Sequence, residues 1–149
     1  MSLKERIIED MKNAMRAQDK ARVGALRLIT AGIKQIEVDQ RIAALDDSQV
    51  LDVLTRMIKQ RRESIEQFQK AARNDLVAQE EYELGIIQPY LPAALSAGDL
   101  ARLIDAAIKE TGAQDIKQMS KVMGLLKVKM QGRADMTEVS RIIKQKLTP

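Results

Sequence analysis

Apolar residues recur every three or four positions along the first part of the chain, a spacing that predicts amphipathic α-helices. Ser2 and Asp19 precede the first two stripes as N-caps, and Asp47 or Ser48 is expected to cap a third helix. A fourth helix is expected over about 75–88. The expected core positions are Leu3, Ile7, Met11 and Met15; Leu26, Ile29, Ile33 and Ile36; Val50, Leu54, Met57, Ile58, Ile65 and Phe68; and Leu76, Leu84 and Ile87.

A break in this pattern follows at Pro89 and Pro92, since proline cannot continue a helix interior. Three further helices are expected over about 97–110, 115–130 and 136–147. Their end signals are Ser96 as an N-cap with Asp99 three residues on, Gly112 as a C-cap, and Asp115 and Asp135 as N-caps. The sequence therefore predicts an all-α protein, with a four-helix domain over 1–92 and a three-helix domain over 93–149.

Residues 119–136 of the second domain combine apolar residues, lysines and glycines. On a helical wheel of about 100° per residue, one narrow sector is predicted to be buried. That sector contains Ile116, Met119, Met123, Leu126 and Met130. Gly132 is expected to end this helix in a left-handed conformation. Lys117 and Lys121 fall on the opposite side, and Lys127 and Lys129 flank the buried sector.

Composition narrows the chemistry that the chain can perform. Cysteine and histidine are absent, which excludes disulfides, thiolate nucleophiles and the commonest metal ligand. We therefore expect no catalytic residue, no metal site and no cofactor. The first residues are unlike a signal or transit peptide, and prolines interrupt the longest uncharged stretch, 84–98, so no membrane span is expected. A cytoplasmic location is the expectation that follows.

Charge is concentrated near the C-terminus. Residues 113–149 contain eight basic and three acidic side chains, a net charge of +5, whereas residues 1–112 have a net charge of −1. A basic surface of this kind is typical of proteins that bind polyanions. The candidate RNA-binding residues are Lys117, Lys121, Gly124, Lys127, Lys129, Gly132, Arg133, Arg141 and Lys144.

A purely structural interpretation remains open for each of these residues. Lysines on an outer helix face are usually only solvated, and Lys127 and Lys129 also complement the helix dipole. Gly124 is unusual, because glycine inside a helix costs about 1 kcal/mol relative to alanine. Either a neighbouring helix or a ligand approaches closely there, or the helix bends.

Several motifs resemble the YqeY family along most of the chain. These are "ALRLITAGIKQIE", "KQRRESIEQFQKAARNDLVAQEEYELGIIQPYLP", "MSKVMG", "GRAD" and "VSRIIKQKL". The same domain resembles the tail of the B subunit of tRNA-dependent amidotransferases, where it contributes to tRNA binding and the chemistry occurs elsewhere. The resemblance implies an all-α fold and matches Lys121, Gly124, Gly132 and Arg133 to motif positions. Ser120 and Met136 depart from the pattern, since relatives often have glycine there.

Two functions of different kinds follow, and a third is disfavoured. The first is a non-catalytic protein that binds tRNA or another structured RNA, with an accessory role beside a glutamine-dependent carbon–nitrogen ligase. The second is a helical adaptor that docks on a protein partner and has no nucleic-acid role. An autonomous amidotransferase is disfavoured, because the chain lacks a catalytic cysteine and a glycine-rich phosphate loop. The acidic cluster Glu80, Glu81 and Glu83 is interpreted as a solvated helix face.

Overall fold

The computed structural model describes residues 1–148, which contain seven α-helices and no β-strand. The predicted all-α fold is confirmed. The helices form two compact units, Met1–Leu91 and Pro92–Pro149. Their bounds are α1 Leu3–Arg16, α2 Lys20–Gln40, α3 Asp47–Lys70, α4 Asn74–Ile87, α5 Ala97–Thr111, α6 Met119–Met130 and α7 Met136–Leu147.

The first three helices of the N-terminal unit begin at polar caps, as their sequence predicts, with one shift. Ser2 and Glu5 form a reciprocal capping box at α1, and Asp19 accepts a hydrogen bond from the Arg22 amide at α2. The cap of α3 is Asp46, not Asp47 or Ser48. Its carboxylate accepts from the Gln49 amide at 2.8 Å, and the Gln49 side chain accepts in return from the Asp46 amide. A glutamine three residues after the cap is what selects Asp46.

Aliphatic side chains fill the core of this unit, as its aromatic-poor composition requires. Ile7, Leu26, Ile29, Leu54 and Ile87 are almost completely buried. The core therefore joins all four helices, α1 to α4.

Tyr90, which follows α4 in a short 3-10 turn, is also buried in the N-terminal unit. Its hydroxyl donates to Asp10 Oδ2 on α1 at 2.5 Å, and the Arg6 guanidinium carbon lies 5.0 Å from the ring centroid. Burial and the nearby Asp10 carboxylate raise the pKa of the Tyr90 phenol. The tyrosine of the Tyr-Leu-Pro motif thus fastens the end of α4 to α1.

Two ion pairs connect helices of the N-terminal unit below its surface. Lys4 Nζ on α1 lies 2.6 Å from Glu37 Oε2 on α2, and Glu37 is only 4% exposed. The same carboxylate oxygen accepts a hydrogen bond from the Leu45 amide at 3.0 Å. On the other side, Arg61 Nε of α3 lies 3.2 Å from Glu83 Oε2 of α4, and each side chain is 12% exposed. One pair thus links α1 to α2 and the other links α3 to α4, with a specific geometry that apolar packing alone does not impose.

The C-terminal unit packs α5, α6 and α7 around a separate aliphatic core. Its most deeply buried side chains are Ile104, Val122, Leu126, Met130, Val139 and Ile143. Gly112 ends α5 at φ 67°, as predicted, because glycine adopts the left-handed conformation without strain. Ser96 accepts a hydrogen bond from the Asp99 amide and so caps α5.

The predicted buried sector of α6 is partly wrong. Residues Ile116–Gln118 form a 3-10 turn before α6, and Ile116 is 44% exposed. Because a 3-10 turn advances by more than 100° per residue, a wheel extrapolated through it misplaces Ile116. Val122 is completely buried although the predicted sector omitted it, whereas Met119 and Met123 are only partly buried.

Candidate nucleic-acid interface

The outer face of α6 is defined by what the opposite face buries. Val122, Leu126 and Met130 point into the core, so the positions between them must face away from it. Asp115 Oδ1 accepts a hydrogen bond from the Lys117 amide at 2.9 Å and fixes the turn that leads into α6. Lys117 therefore precedes the helix, one turn before Lys121.

Five lysines at or near α6 and α7 are exposed and have no acidic partner among residues 1–148. Side chains on the outer face could have formed pairs with neighbouring helices, as Lys146 of α7 does with Asp105 of α5. Within residues 1–148, ion pairs involve none of five lysines. These are Lys117, Lys121, Lys127, Lys129 and Lys144, and all of them are exposed. Within the described part of the chain, no carboxylate therefore neutralises these five charges.

At Gly124 the outer face of α6 carries no side chain. Lys121, Gly124 and Val128 lie within about 60° of one another on the wheel, with Lys127 and Lys129 on either side. Val128 is 84% exposed. A Cβ added at Gly124 would meet nothing within 4 Å, so no neighbouring helix explains this glycine. Of the explanations that the sequence left open, close packing within the chain is excluded among the described residues.

The turn after α6 holds Gly132 and Arg133 in a structural role. Gly132 has φ 74°, the left-handed conformation that was predicted for it, and the Arg133 amide donates to the Met130 carbonyl at 2.8 Å. Arg133 Nε also donates to the Ala93 carbonyl at 3.0 Å, and the Arg133 carbonyl accepts from the Leu95 amide at 2.9 Å. Arg133 thus fastens the segment before α5 to the turn between α6 and α7.

Arg141 differs from the lysines because it is already paired. Its Nε donates to Glu138 Oε2 at 3.0 Å, and its Nη2 donates to the other oxygen of the same carboxylate. The hydrogen bond to Arg141 lowers the pKa of Glu138, and the same contact raises the pKa of Arg141. Glu138 stands three residues after Asp135, the spacing of a capping box. Instead Asp135 accepts from the Thr137 amide, and Glu138 neutralises Arg141.

The acidic cluster of α4 is only partly the solvated face that the sequence suggested: Glu81 is exposed, whereas Glu80 and Glu83 are partly buried. Glu83 is nearly buried against Arg61, whose Nη1 also donates to the Met57 carbonyl at 3.2 Å. Arg61 Nε lies close to Glu83 but is not aligned for a hydrogen bond. Desolvation, and secondarily the charge of Glu83, raises the pKa of Glu80. Glu83 and Arg61 thus join α4 to α3.

Two features are absent from the described residues 1–148. No helix among them is long and apolar enough to cross a membrane. The same part of the chain contains no group of three or more acidic side chains arranged to hold a metal ion.

Curated relatives of the chain are fungal proteins named altered inheritance of mitochondria protein 41, mitochondrial. The Eremothecium gossypii protein is 39% identical over 104 residues, which cover 68% of this chain and 57% of the relative. The Lachancea thermotolerans protein is 42% identical over 83 residues, covering 56% and 44%. The Saccharomyces cerevisiae protein is 31% identical over 121 residues, covering 77% and 65%. The matched segments thus span only about half to two thirds of these relatives' lengths.

These names contradict the expectation of a cytoplasmic location, since each of the three relatives is designated mitochondrial. The features on which that expectation depended, first residues unlike a signal or transit peptide and no membrane span, do not identify the compartment. That prediction is wrong.

The match to a protein family extends over nearly the whole chain. The family described as Yqey-like protein matches residues 4–147, which include all seven helices except the first residue of α1. The motifs that suggested this resemblance lie on α2, on α3 and α4, on α6, and on α7 with the turn before it. The chain therefore belongs to the YqeY family.

Proposed function

We propose that the C-terminal unit binds folded RNA through contacts of its lysines with phosphates, without performing catalysis. Transfer RNA is the first candidate, because the chain resembles the tail domain of the tRNA-dependent amidotransferases. In this proposal the protein works as an accessory beside such a glutamine-dependent ligase and supplies RNA affinity. The nine residues expected from the sequence form the proposed surface, with the lysines of α6 at its centre.

One observation carries this proposal: five lysines are exposed and have no acidic partner among residues 1–148, and three of them lie on α6, whose outer face has no side chain at Gly124. A phosphate that approaches an unpaired lysine displaces only water and counterions, and the released counterions favour binding. Arg141 is a weaker candidate, because a phosphate must compete with Glu138. Gly124 adds a place where a sugar-phosphate backbone can approach the helix without meeting a side chain.

The mode of binding follows from the residue types. Residues 92–149 contain no aromatic side chain, so base stacking on aromatic rings is not available to this unit. Recognition by backbone and shape, which double-stranded parts of folded RNA permit, remains. Affinity should therefore depend strongly on salt and only weakly on sequence.

The test is a titration of the full chain with transcribed tRNA at about 50 mM and about 200 mM salt. Lys121→Glu is expected to weaken binding about tenfold and to reduce its salt dependence. Lys109→Glu is the matched control, since Lys109 is an exposed lysine on α5 of the same unit. Equal losses in both variants would mean that only net charge matters and that the proposed surface is wrong. No binding at low salt would exclude RNA altogether.

A second pair of variants tests the bare helix face. Gly124→Ala should weaken RNA binding, because its methyl group occupies the approach to the backbone, while the helix itself is stabilised by about 1 kcal/mol. Gly85→Ala on α4 is the control, since Gly85 is also helical and has open space around its missing Cβ. If Gly124→Ala binds tRNA as tightly as the parent, Gly124 has no part in the interface.

A further inference from the structure

A row of basic residues runs along the outer side of α2 in the N-terminal unit. Lys20, Arg27 and Lys34 recur at every seventh position, and Arg41 follows at the C-cap of the helix. Seven residues complete almost two helical turns, so these side chains lie along one side with a drift of about 20° per repeat. All four are exposed, and within residues 1–148 none of them takes part in an ion pair.

An exposed stripe of small and apolar residues lies beside this basic row. It consists of Gly24, Leu28, Ala31 and Val38, and we call it the α2 stripe. Leu28 is 45% exposed and Val38 is 59% exposed. Spacings of four, three and seven residues place the α2 stripe along one line of the helix, as in a seam between two packed helices.

The α2 stripe lies on the side of α2 opposite the core. The buried residues Leu26, Ile29 and Ile33 are about 180° away from it on the helical wheel. An amphipathic surface helix normally carries polar residues at such positions, so apolar side chains there are not required by the fold. The polar residue Gln35 lies on the same line, between Ala31 and Val38, and donates a hydrogen bond to Asp39 on the far flank of the stripe at 2.9 Å.

Two residues of this surface are not explained by the stability of α2. A Cβ at Gly24 would meet nothing within 4 Å, whereas at Gly32 it would contact Val53 Cγ1 at 3.5 Å. Gly32 therefore permits close packing of α3, and Gly24 permits close packing of something outside the described chain. Lys20 stands at the first position of α2, where a positive charge opposes the helix dipole.

Charge determines which occupant fits. A second copy docked antiparallel through the same face would bring the two basic rows side by side, which disfavours self-association. A phosphate backbone would match the charges but has no use for the α2 stripe. An acidic amphipathic helix satisfies both, with its apolar side on the α2 stripe and its carboxylates along the basic row. We propose that the outer face of α2 is a docking site for such a helix of another protein.

The dimensions of the site define a probe. From Lys20 to Arg41 the helix extends about 30 Å, the length of about 20 helical residues. The probe is a designed helical peptide of about 20 residues, with leucine and alanine on one side and glutamate at every seventh position beside them. A peptide of the same composition in scrambled order serves as its control. Binding to the full chain is measured by isothermal titration calorimetry.

The expected result is saturable binding of the designed peptide and none of the scrambled one. Arg27→Glu/Lys34→Glu and Leu28→Asn should each weaken binding about tenfold or more, the first through charge and the second through the apolar contact. Lys59→Glu/Arg62→Glu, which reverses two exposed charges on α3, should leave it unchanged. No binding of the designed peptide, or binding that Leu28→Asn leaves intact, would overturn the proposal.

RNA is tested on the same variants. If Arg27→Glu/Lys34→Glu lost affinity for transcribed tRNA while Leu28→Asn retained it, the row would be a phosphate contact and the docking proposal would be overturned. This proposal does not depend on the RNA-binding function of the C-terminal unit. The Lys121→Glu variant, which tests that function, should bind the peptide like the parent protein.

Discussion

The two units of this protein use their charged residues in different ways. The N-terminal unit has 15 basic and 15 acidic side chains, and two of its ion pairs, Lys4–Glu37 and Arg61–Glu83, join different helices at nearly buried positions. Residues 92–149 have ten basic and six acidic side chains. All their ion pairs within the described range are at exposed positions, and two of the three lie within one turn of a single helix.

This difference indicates which charges are committed to the fold. A buried pair between helices must be kept, because removing one partner leaves an uncompensated charge in a place without water. Exposed pairs within one helix contribute little and can be exchanged for other partners. The C-terminal unit therefore keeps its surplus of positive charge available to a polyanion. In the N-terminal unit a net charge of zero conceals the one-sided basic row of α2.

The largest loss of unfolding free energy is expected from Lys4→Met in the N-terminal unit. The change removes the ammonium group but keeps an apolar stem, and it leaves Glu37 almost buried with only the Leu45 amide as a partner. We expect the N-terminal unit to lose about 2 kcal/mol of unfolding free energy. Hydrogen exchange of the α2 amides measures this loss. Lys70→Met removes the exposed pair with Glu66 and should cause little or no change. Equal effects would show that the Glu37 pair is no more structural than a surface pair.

A fall in pH should lower the unfolding free energy of the N-terminal unit through its buried carboxylate, Glu37. The hydrogen bond from Lys4, opposed by desolvation and assisted by the Leu45 amide, lowers the pKa of Glu37 below its ordinary value of 4.5. Because the folded state favours the carboxylate, its stabilising contribution is complete above the ordinary pKa and is lost as the pH falls through the lower folded value. Unfolding free energies measured from about pH 6 to about pH 3 should therefore fall less in Glu37→Gln than in the parent. A parallel decline in both proteins would contradict this role of Glu37.

In the C-terminal unit the most sensitive backbone position should be Gly132. An alanine at φ 74° is strained by about 1–2 kcal/mol, and the turn between α6 and α7 should loosen accordingly. Thermal unfolding followed by calorimetry should show a lower transition temperature for Gly132→Ala. Gly124→Ala, at a helical position with open space, should show a higher one. The same sign in both variants would mean that conformation at Gly132 does not limit the stability of this unit.

The smallest effect is expected from Ala72→Gly in the N-terminal unit. Ala72 has φ 56° after the end of α3, a left-handed conformation in which a Cβ is strained. Glycine should relieve that strain and raise the unfolding free energy by less than about 1 kcal/mol, because part of the gain is cancelled in the more flexible unfolded chain. Urea denaturation measures the difference. A decrease would indicate that Ala72 is already relaxed by its neighbours.

Local signals in the sequence predicted most of the fold. Ser2, Asp19, Ser96, Gly112 and Asp135 all lie at helix ends as expected, because capping depends on residues within one turn of each other. The prediction that Ile116 is buried was wrong, because a 3-10 turn interrupts the helical period on which the wheel depends.

Contacts between distant residues could not be predicted in the same way. Glu37 follows the apolar residues Ile33 and Ile36, but its burial depends on Lys4 of another helix. The pairing of Glu83 with Arg61 is of the same kind, and it changed the interpretation of the acidic cluster. The basic row of α2 is visible as a seven-residue spacing in the sequence, but the net charge of that region concealed it. Whether the lysines of α6 bind RNA stays a prediction.

The buried tyrosine next to α1 has a practical consequence for spectroscopy. The only aromatic residues of the chain are Phe68, Tyr82 and Tyr90, and all three lie in the N-terminal unit. Near-ultraviolet circular dichroism and tyrosine emission therefore report on that unit alone, and the environment of Tyr90 beside Asp10 is lost when it unfolds. Far-ultraviolet circular dichroism reports on the helices of both units. A single sample can thus reveal, without any label, which half of the molecule melts first.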